Sequence, residues 1–551
     1  MLGAMRREAR VVGLVGAMLG AWACGDDGEP AATDTETTST TTPATDDLQL
    51  TGDELGTTAT ATSAVDSSGS SGPDDTGTTD DTGPVLPDVV NVHLVPQDGV
   101  AGLQRVAFAV PLPPGMQDDE TLVRVEHEGT ELPAARRALA MHAAGGIRSL
   151  ELQVELELAG ETDLLVELGI AGTAGDLPRV PTEDALVQPD GTLGPRVWAL
   201  LPAQWLAASG FAGPQLPVAD TPAALGAWEL VCDYVEYDVD AFLPVIDDPT
   251  VWLYDRGTTF WRAHARTGDL GTLATAYRES ALYRAGLSGS GEGTTIGLPD
   301  QVDDLKYHYA QNLALHYLAS GDDRFREAAE DVAERAHALW SSPGYDPPGF
   351  WTERHAGFAL LAYVWAAAVS DDQADTFRGW ADEAVAAYAA AQATFPAGYD
   401  DPDARCFAHH ADDHGEDYGY FGCSPWMSAI LADGLEQYAI DRGGAEAEVA
   451  RQSLVRLGRI VARDGLDGDG RPMYWMGVGT DLDEPDEFDE HWGESAYVVA
   501  LAWHHDGRVD AALRDAAQAL VDGLAAYGSA PHMRSFNWQC RSAVATPWYL
   551  Q

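Results

Sequence analysis

The sequence predicts a multidomain protein in which a disordered tether leads to a small all-β barrel or sandwich and then to an all-α body of helical hairpins. Three observations carry this. Residues 25–86 hold neither an aromatic nor a basic side chain, so they cannot bury enough apolar surface to offset the entropy of ordering. From about 88 to 180, short runs such as "VVNVHLV", "RVAFAVPL" and "RSLELQVELEL" alternate in part and are cut by Pro, Gly and Asp, which is the pattern of antiparallel strands. From about 245 the apolar period becomes helical, and the helices come in pairs.

The first 24 residues read as an export signal. Arg6, Arg7 and Arg10 precede a 13-residue apolar stretch from Val11 to Ala23, too short to span a bilayer. Cys24 after Ala-Trp-Ala resembles a bacterial lipobox, with Ala21 at the usual leucine position, and that resemblance implies an acylated Cys24. The expectation is an extracytoplasmic, lipid-anchored protein at the outer membrane or cell surface, held away from the membrane by the 25–86 tether. A formal charge of 32 − 88 = −56 repels phosphate backbones and excludes nucleic acid as a partner. Any anionic substrate then needs a locally basic pocket. With Cys24 used for lipid, Cys232, Cys406, Cys423 and Cys540 remain, an even set that suits two disulfides in an oxidising compartment. Cys406 and Cys423 bracket one loop and form the natural local pair, leaving Cys232 with Cys540.

The β module is placed at 87–182 and a connecting segment at 183–244. Within the module, "VAFAVPLPPGMQDDETLVRVEHEGTELPAARRALA" (Val106–Ala140) resembles the small barrel at the front of exo-acting rhamnogalacturonan-lyase-like proteins. Those carry a G-V-P-L-P-x-G turn, a strand, an acidic turn and V-P-A-Q. Afterwards "AMHAAGGIRSLEL" stands where their W-P-D-G-S turn falls. The resemblance implies an ancillary module and carries no catalytic residue.

In the region 245–551, five hairpins have short polar turns: "AHARTGDLGTLATAY", "HYLASGDDRFREAA", "AAAVSDDQADTF", "YAIDRGGAEAEVA" and "AWHHDGRVDAAL". First helices such as "GFALLAYVWAAAV" are apolar nearly all round and are expected inside; second helices such as "RFREAAEDVAERAHALW" carry one charged face and border water. The 222–240 stretch and the C-terminal segment are read as a sixth pair. The arrangement resembles the (α/α)6 toroid shared by many glycoside hydrolases and polysaccharide lyases, with an α-solenoid or irregular bundle as the alternative.

Turns within hairpins are short, whereas the connections back to each next first helix are long and rich in aromatic and ionisable residues. They must emerge on one rim, where function is expected. The richest is "CFAHHADDHGEDYGYFGCSPW" (Cys406–Trp426). It offers His410, His414, Tyr418 and Tyr420 for proton transfer. The neighbouring connections offer Lys306, Glu353, Arg354 and His355 as catalytic candidates. Trp351, Trp426, Trp475, Trp492, Arg256 and His308 are candidates for binding a sugar chain, and Tyr254 and Asp255 enter the rim from the first hairpin. His409, His410 and His414 have spacings that would suit metal ligands on a helix, but Gly415 and Gly419 favour a loop, so no metal is assigned. The acidic runs "DGLDGDG" and "DLDEPDEFDE" lack EF-hand spacing; structural calcium there is the one cofactor weighed, and solvated loop is preferred.

Two reactions suit such a rim. Elimination on a uronate polymer needs a cation to neutralise the carboxylate, a base, and an acid for the leaving oxygen. Hydrolysis needs two carboxylates, from Glu353, Asp413, Glu416 and Glu494. A monomeric enzyme acting on a polysaccharide or oligosaccharide, most simply a lyase, is the leading expectation. A glycoside hydrolase and a non-catalytic, surface-tethered carbohydrate-binding or scaffold lipoprotein remain open beside it.

Overall fold

The computed structural model describes residues 86–182, 194–299, 304–340, 352–396, 401–410, 421–478, 484–485 and 489–551. The export signal, Cys24 and nearly all of the tether lie outside these residues. From Pro84 onward the chain packs as one compact unit, and both predicted disulfides are present, Cys232–Cys540 and Cys406–Cys423.

Eight strands of the N-terminal region form two antiparallel sheets. They are β1 (Val89–Pro96), β2 (Gly102–Pro111), β3 (Val123–His127), β4 (Thr130–Glu131), β5 (Ala134–Met141), β6 (Ile147–Leu158), β7 (Thr162–Leu168) and β8 (Val197–Leu200). One sheet runs β4-β3-β7-β1-β8 and the other β2-β6-β5. The 183–244 segment is therefore more than a connection, because β8 pairs along β1 from His93↔Leu200 to Pro96↔Val197. Clean alternation holds in the outer sheet, where Val90, Val92 and Leu94 point inward. It fails in β6, whose Ser149, Glu151 and Gln153 are buried on the opposite face. That face rests on the helical body: Ser149 Oγ donates to Leu318 O at 2.6 Å, and Arg137 reaches Asp323 at 3.0 Å. The three-stranded sheet is thus a middle layer, and partial alternation is its sequence signature.

Five hairpins follow: α1 (Arg256–Thr267) with α2 (Leu270–Ala285), α3 (Ala310–Ser320) with α4 (Asp323–Leu339), α5 (Glu353–Val369) with α6 (Ala374–Gln392), α7 (Pro425–Arg442) with α8 (Gly444–Asp464), and α9 (Trp492–His505) with α10 (Ala511–Tyr527). The turn chemistry is legible in two of them. Gly268 (φ 68°) and Gly321 (φ 74°) end α1 and α3 in the left-handed conformation, and Asp269 and Asp322 at once cap α2 and α4 by accepting from backbone N–H groups. First helices are buried nearly all round, as α5 and α7 show, whereas α4, α8 and α10 bury one face. Gly357 allows α5 to lie against α7, since a Cβ there would sit 2.6 Å from the Ile430 carbonyl carbon.

A further helix, α11 (Met533–Arg541), joins the first helices. Contacts run α1 to α3, α3 to α5, α5 to α7, α7 to α9, α9 to α11, and α11 back to α1. The Cys232–Cys540 bridge ties α11 to the short helix Trp228–Val231. Where these helices converge the core is ionic. Asp433 of α7 accepts from Arg262 of α1 at 2.8 and 3.0 Å and from Arg541 of α11 at 2.9 Å, with Tyr497 of α9 at 3.3 Å. Burial works against the Asp433 charge, but the two guanidiniums outweigh it and hold its carboxyl below the usual range.

Candidate functional site

Within each hairpin the chain reverses, so the first helices run parallel and their N-termini share one end. The described ends of the long connections flank these N-termini. Backbone strain concentrates at the same end: among the described residues six non-glycine positions have positive φ, and Tyr254 (72°), Asp255 (57°), Val478 (27°) and Asp489 (57°) lie in or beside these connections. Such conformations persist where the surroundings over-determine them, and they mark functional regions often enough to direct attention.

Tyr254 and Asp255 precede α1. Asp255 is buried, which raises its pKa, and it accepts from Thr258 N at 3.2 Å, Thr258 Oγ1 at 2.7 Å and Asn312 Nδ2 at 2.8 Å. Tyr254 N–H donates to Tyr309 Oη at 3.1 Å. Fixed in this way, the Tyr254 hydroxyl accepts from Arg354 Nη1 at 3.0 Å. Arg354 is the second residue of α5 and also lies 5.9 Å from the Trp426 ring centroid. Trp426 stacks on His491 at 4.6 Å with 5° between planes, and His491 lies 4.9 Å from Trp538 of α11. Tyr254, Arg354, Trp426 and His491 are all buried.

His355 is half-buried, and both of its ring nitrogens have partners: Nε2 meets Asp304 Oδ1 at 3.1 Å and Nδ1 meets Thr352 Oγ1 at 2.8 Å. Burial lowers its pKa, with Asp304 opposing. The neutral ring therefore donates to Asp304 and accepts from the threonine hydroxyl. Burial also opposes the Asp304 charge, yet the His355 hydrogen bond and Lys306, whose Nζ lies 3.3 Å away, hold that carboxyl well below its usual range. With its nitrogens so engaged, His355 is a cross-link from α5 to the preceding connection.

Glu353 is likewise given structural work. Its Oε1 accepts from Ser424 N at 3.1 Å and its Oε2 lies 2.5 Å from His409 Nδ1, with both side chains fully buried. This contact, the His409↔Gly422 and His410↔Phe421 ladder, and the Cys406–Cys423 bridge pin the base of the 406–423 loop to α5. His409 so placed turns its Nδ1 toward Glu353. His414, Tyr418, Tyr420 and Trp351 lie outside the described residues, as does the side chain of His410.

Three other binding candidates are occupied elsewhere. Arg256 is buried and ion-paired with Glu279 at 2.6 Å, with further bonds to Asn537 Oδ1 (3.2 Å) and Tyr237 O (2.6 Å). Trp475 is wholly buried against Gly422, where a Cβ would sit 2.3 Å from the indole. Trp492 turns toward α10 and fills a slot over Gly523, 2.0 Å from where a Cβ would stand. Trp475 and Trp492 thus pack against loop and helix. His308 is buried, with Nδ1 at 3.1 Å from Asp304 O. In the acidic run 464–470, Asp467 accepts from Asp469 N and Arg471 N at 2.9 Å each, so it closes a turn. Run 481–490 lies largely outside the described residues. Lys306, Arg354 and Trp426 are brought to one end together with three side chains that sequence reasoning did not single out for the site: Tyr474, Arg534 and Trp538.

What converges, then, is a guanidinium bonded to a phenol, a stacked aromatic layer, and parallel helix N-termini whose dipoles favour negative charge. No protein-family model, no curated protein and no solved structure matches the chain.

Proposed function

We propose that the chain is a surface-tethered polysaccharide lyase, built on an (α/α)6 toroid, that cleaves uronate-containing polysaccharide by β-elimination. The closing series of inner helices supports the toroid, and the Arg354–Tyr254 pair at 3.0 Å carries the reaction. In that reaction the C5–H bond of the uronate breaks, C4=C5 forms, the C4–O4 bond breaks and O4 takes a proton. A guanidinium placed between a sugar carboxylate and a phenol serves two charges at once. It neutralises the carboxylate, which acidifies C5–H, and it stabilises negative charge developing on the phenolic oxygen. Tyr254 then takes the C5 proton and returns one to O4. The low dielectric of a buried site strengthens each of these effects. Hydrolysis has weaker support, since Glu353 is spent on Ser424 and His409.

The test is a panel of pectic, alginate and glycosaminoglycan polymers assayed for absorbance of the new conjugated double bond. Tyr254→Phe is expected to lower turnover by about 10²–10⁴-fold, and Arg354→Gln to lower it at least as far. New reducing ends without ultraviolet absorbance would transfer the chemistry to a hydrolase. Binding without cleavage across the panel would leave a tethered carbohydrate-binding protein.

A further inference from the structure

We propose that a cleft between the β5–β6 turn and helices α5, α6 and α7 binds a short aliphatic carboxylate, its carboxyl group held by Arg148 and Arg378. The cleft lies where α5 and α7 end and α6 begins, at the hairpin-turn end of the inner helices, and the proposal does not depend on the reaction above.

The cleft opens to solvent, encloses about 360 Å³ and is lined by three arginines, Arg148, Arg378 and Arg442, against one acid, Asp441. In a chain with 88 acidic and 32 basic residues, this is the local excess of positive charge that an anion needs. The floor has the opposite character. Val364 and Ala367 of α5 and Ala381 of α6 are buried there, and between them the cleft narrows to about one water-sized space. A methyl or methylene group fits such a floor, whereas a sugar ring or a branched chain is too wide for it.

The three arginines are not equally engaged. Arg442 gives its Nε and Nη2 to Asp382 at 2.9 and 2.8 Å, and Tyr438 donates to the same carboxylate at 2.7 Å, so this guanidinium is spent on tying α7 to α6. The Arg148 side chain is 10% exposed and lies 5.1 Å from the Trp365 ring. Among the described residues a single acceptor reaches its guanidinium, Asp441 Oδ1 at 3.3 Å. A guanidinium carries several N–H donors, and a donor left unmet away from bulk water is costly. Arg137, in the same sheet, shows the more usual outcome, with Glu151, Asp323 and the Gly321 carbonyl all accepting from it. Arg378 bonds to Asp375 at 2.7 Å, and that acid is fully exposed, a pair that water and salt weaken. Arg148 and Arg378 therefore have N–H groups to offer a ligand in the cleft that both line. A carboxylate is the planar acceptor whose two oxygens match a guanidinium fork. Asp441 on the rim selects further, since it penalises a more highly charged anion such as phosphate.

The experiment is a ligand-observed NMR titration of the full chain with butyrate and with butanamide, its neutral analogue. Wild type is expected to bind butyrate with a Kd on the order of 1 mM and butanamide at least about 10-fold more weakly. Arg378→Gln and Arg148→Gln should each weaken butyrate by roughly 10-fold or more, as removal of a charge-assisted bond does. Ala368→Leu, which fills the cleft from α5 without touching a charge, should abolish binding. Arg278→Gln, which removes an arginine from a surface pair with Asp240, should bind as wild type does. Far-ultraviolet circular dichroism establishes that each variant is folded, and because the Arg378 side chain is 35% exposed, its replacement tests the cleft even where Arg148→Gln loosens the sandwich. Butyrate that does not bind, that binds no better than butanamide, or that binds the Arg378→Gln variant as it binds wild type overturns the proposal.

Discussion

Replacing Asp433 tests whether the ionic centre holds the helical body together. Its side chain is 1% exposed, between Arg262 at 3% and Arg541 at 0%. Asp433→Ala removes the carboxylate shared by both guanidiniums and leaves two cations without a counter-charge in a medium that solvates them poorly. Breaking one buried pair costs about 3–5 kcal/mol, and two cations depend on this one group, so the lower end of the range is the floor. Against a native stability of about 5–15 kcal/mol, that is a large fraction. Urea unfolding followed by tryptophan fluorescence and circular dichroism gives the difference. Two companion variants isolate the cause. Asp240→Ala, which removes the partner of Arg278 in a pair 76% and 34% exposed, should cost less than about 1 kcal/mol. Arg262→Met/Asp433→Leu/Arg541→Met removes the charges together and should recover most of the loss. An Asp433→Ala variant within about 1 kcal/mol of wild type, or a triple variant no more stable than the single one, would refute the reasoning.

Acid should destabilise the protein through buried imidazoles. Burial lowers His264 to about 4 and His316 to about 3. The unfolded chain therefore takes up protons near 6.5 that the fold refuses, and stability is lost as pH falls from there toward those values. Between pH 7.5 and 5 each group contributes a loss of about 2 kcal/mol, which unfolding midpoints across that range measure; a flat profile refutes it. Replacing Cys232 and Cys540 by serine opens a link across 308 residues. In the chain-entropy model this costs about 5–6 kcal/mol, against about 3 for the 406–423 pair, and comparative unfolding of the two double variants gives the order.

Much of the scaffold was legible because local chemistry repeats. A glycine followed by aspartate between two helical periods stops one helix and caps the next at 268–269 and 321–322, and the cysteine pairs follow from which loop each brackets. The burial of the charged groups of helix α1 was not legible. "RGTTFWRAHART" has the charge of a surface helix, yet it is buried because Glu279, Asp433 and Glu229 come to it from 23, 171 and 37 residues away. The tryptophans misled for a related reason. An indole at the rim becomes structural when a distant glycine opens a slot for it, as Gly523 does for Trp492, and nothing near residue 492 signals that glycine. Tyr254 was placed at the rim by its connection, but its pairing with Arg354, 100 residues on, is a property of the folded body alone.

The position of α11 in the chain has a consequence for the timing of competence. This helix supplies Arg541 to Asp433, Asn537 to Arg256, and Trp538 to the layer around His491. It is also the last inner helix to leave the ribosome, about 280 residues after the α1 groups it meets. A nascent chain lacking 533–541 has Asp433 without Arg541, Arg256 without Asn537 and His491 without Trp538. Contacts of such sequence separation form slowly, so the interval before closure is when the chain is most open to aggregation and proteolysis. The ionic centre and the aromatic layer are completed only when α11 arrives, and a truncated copy lacks both.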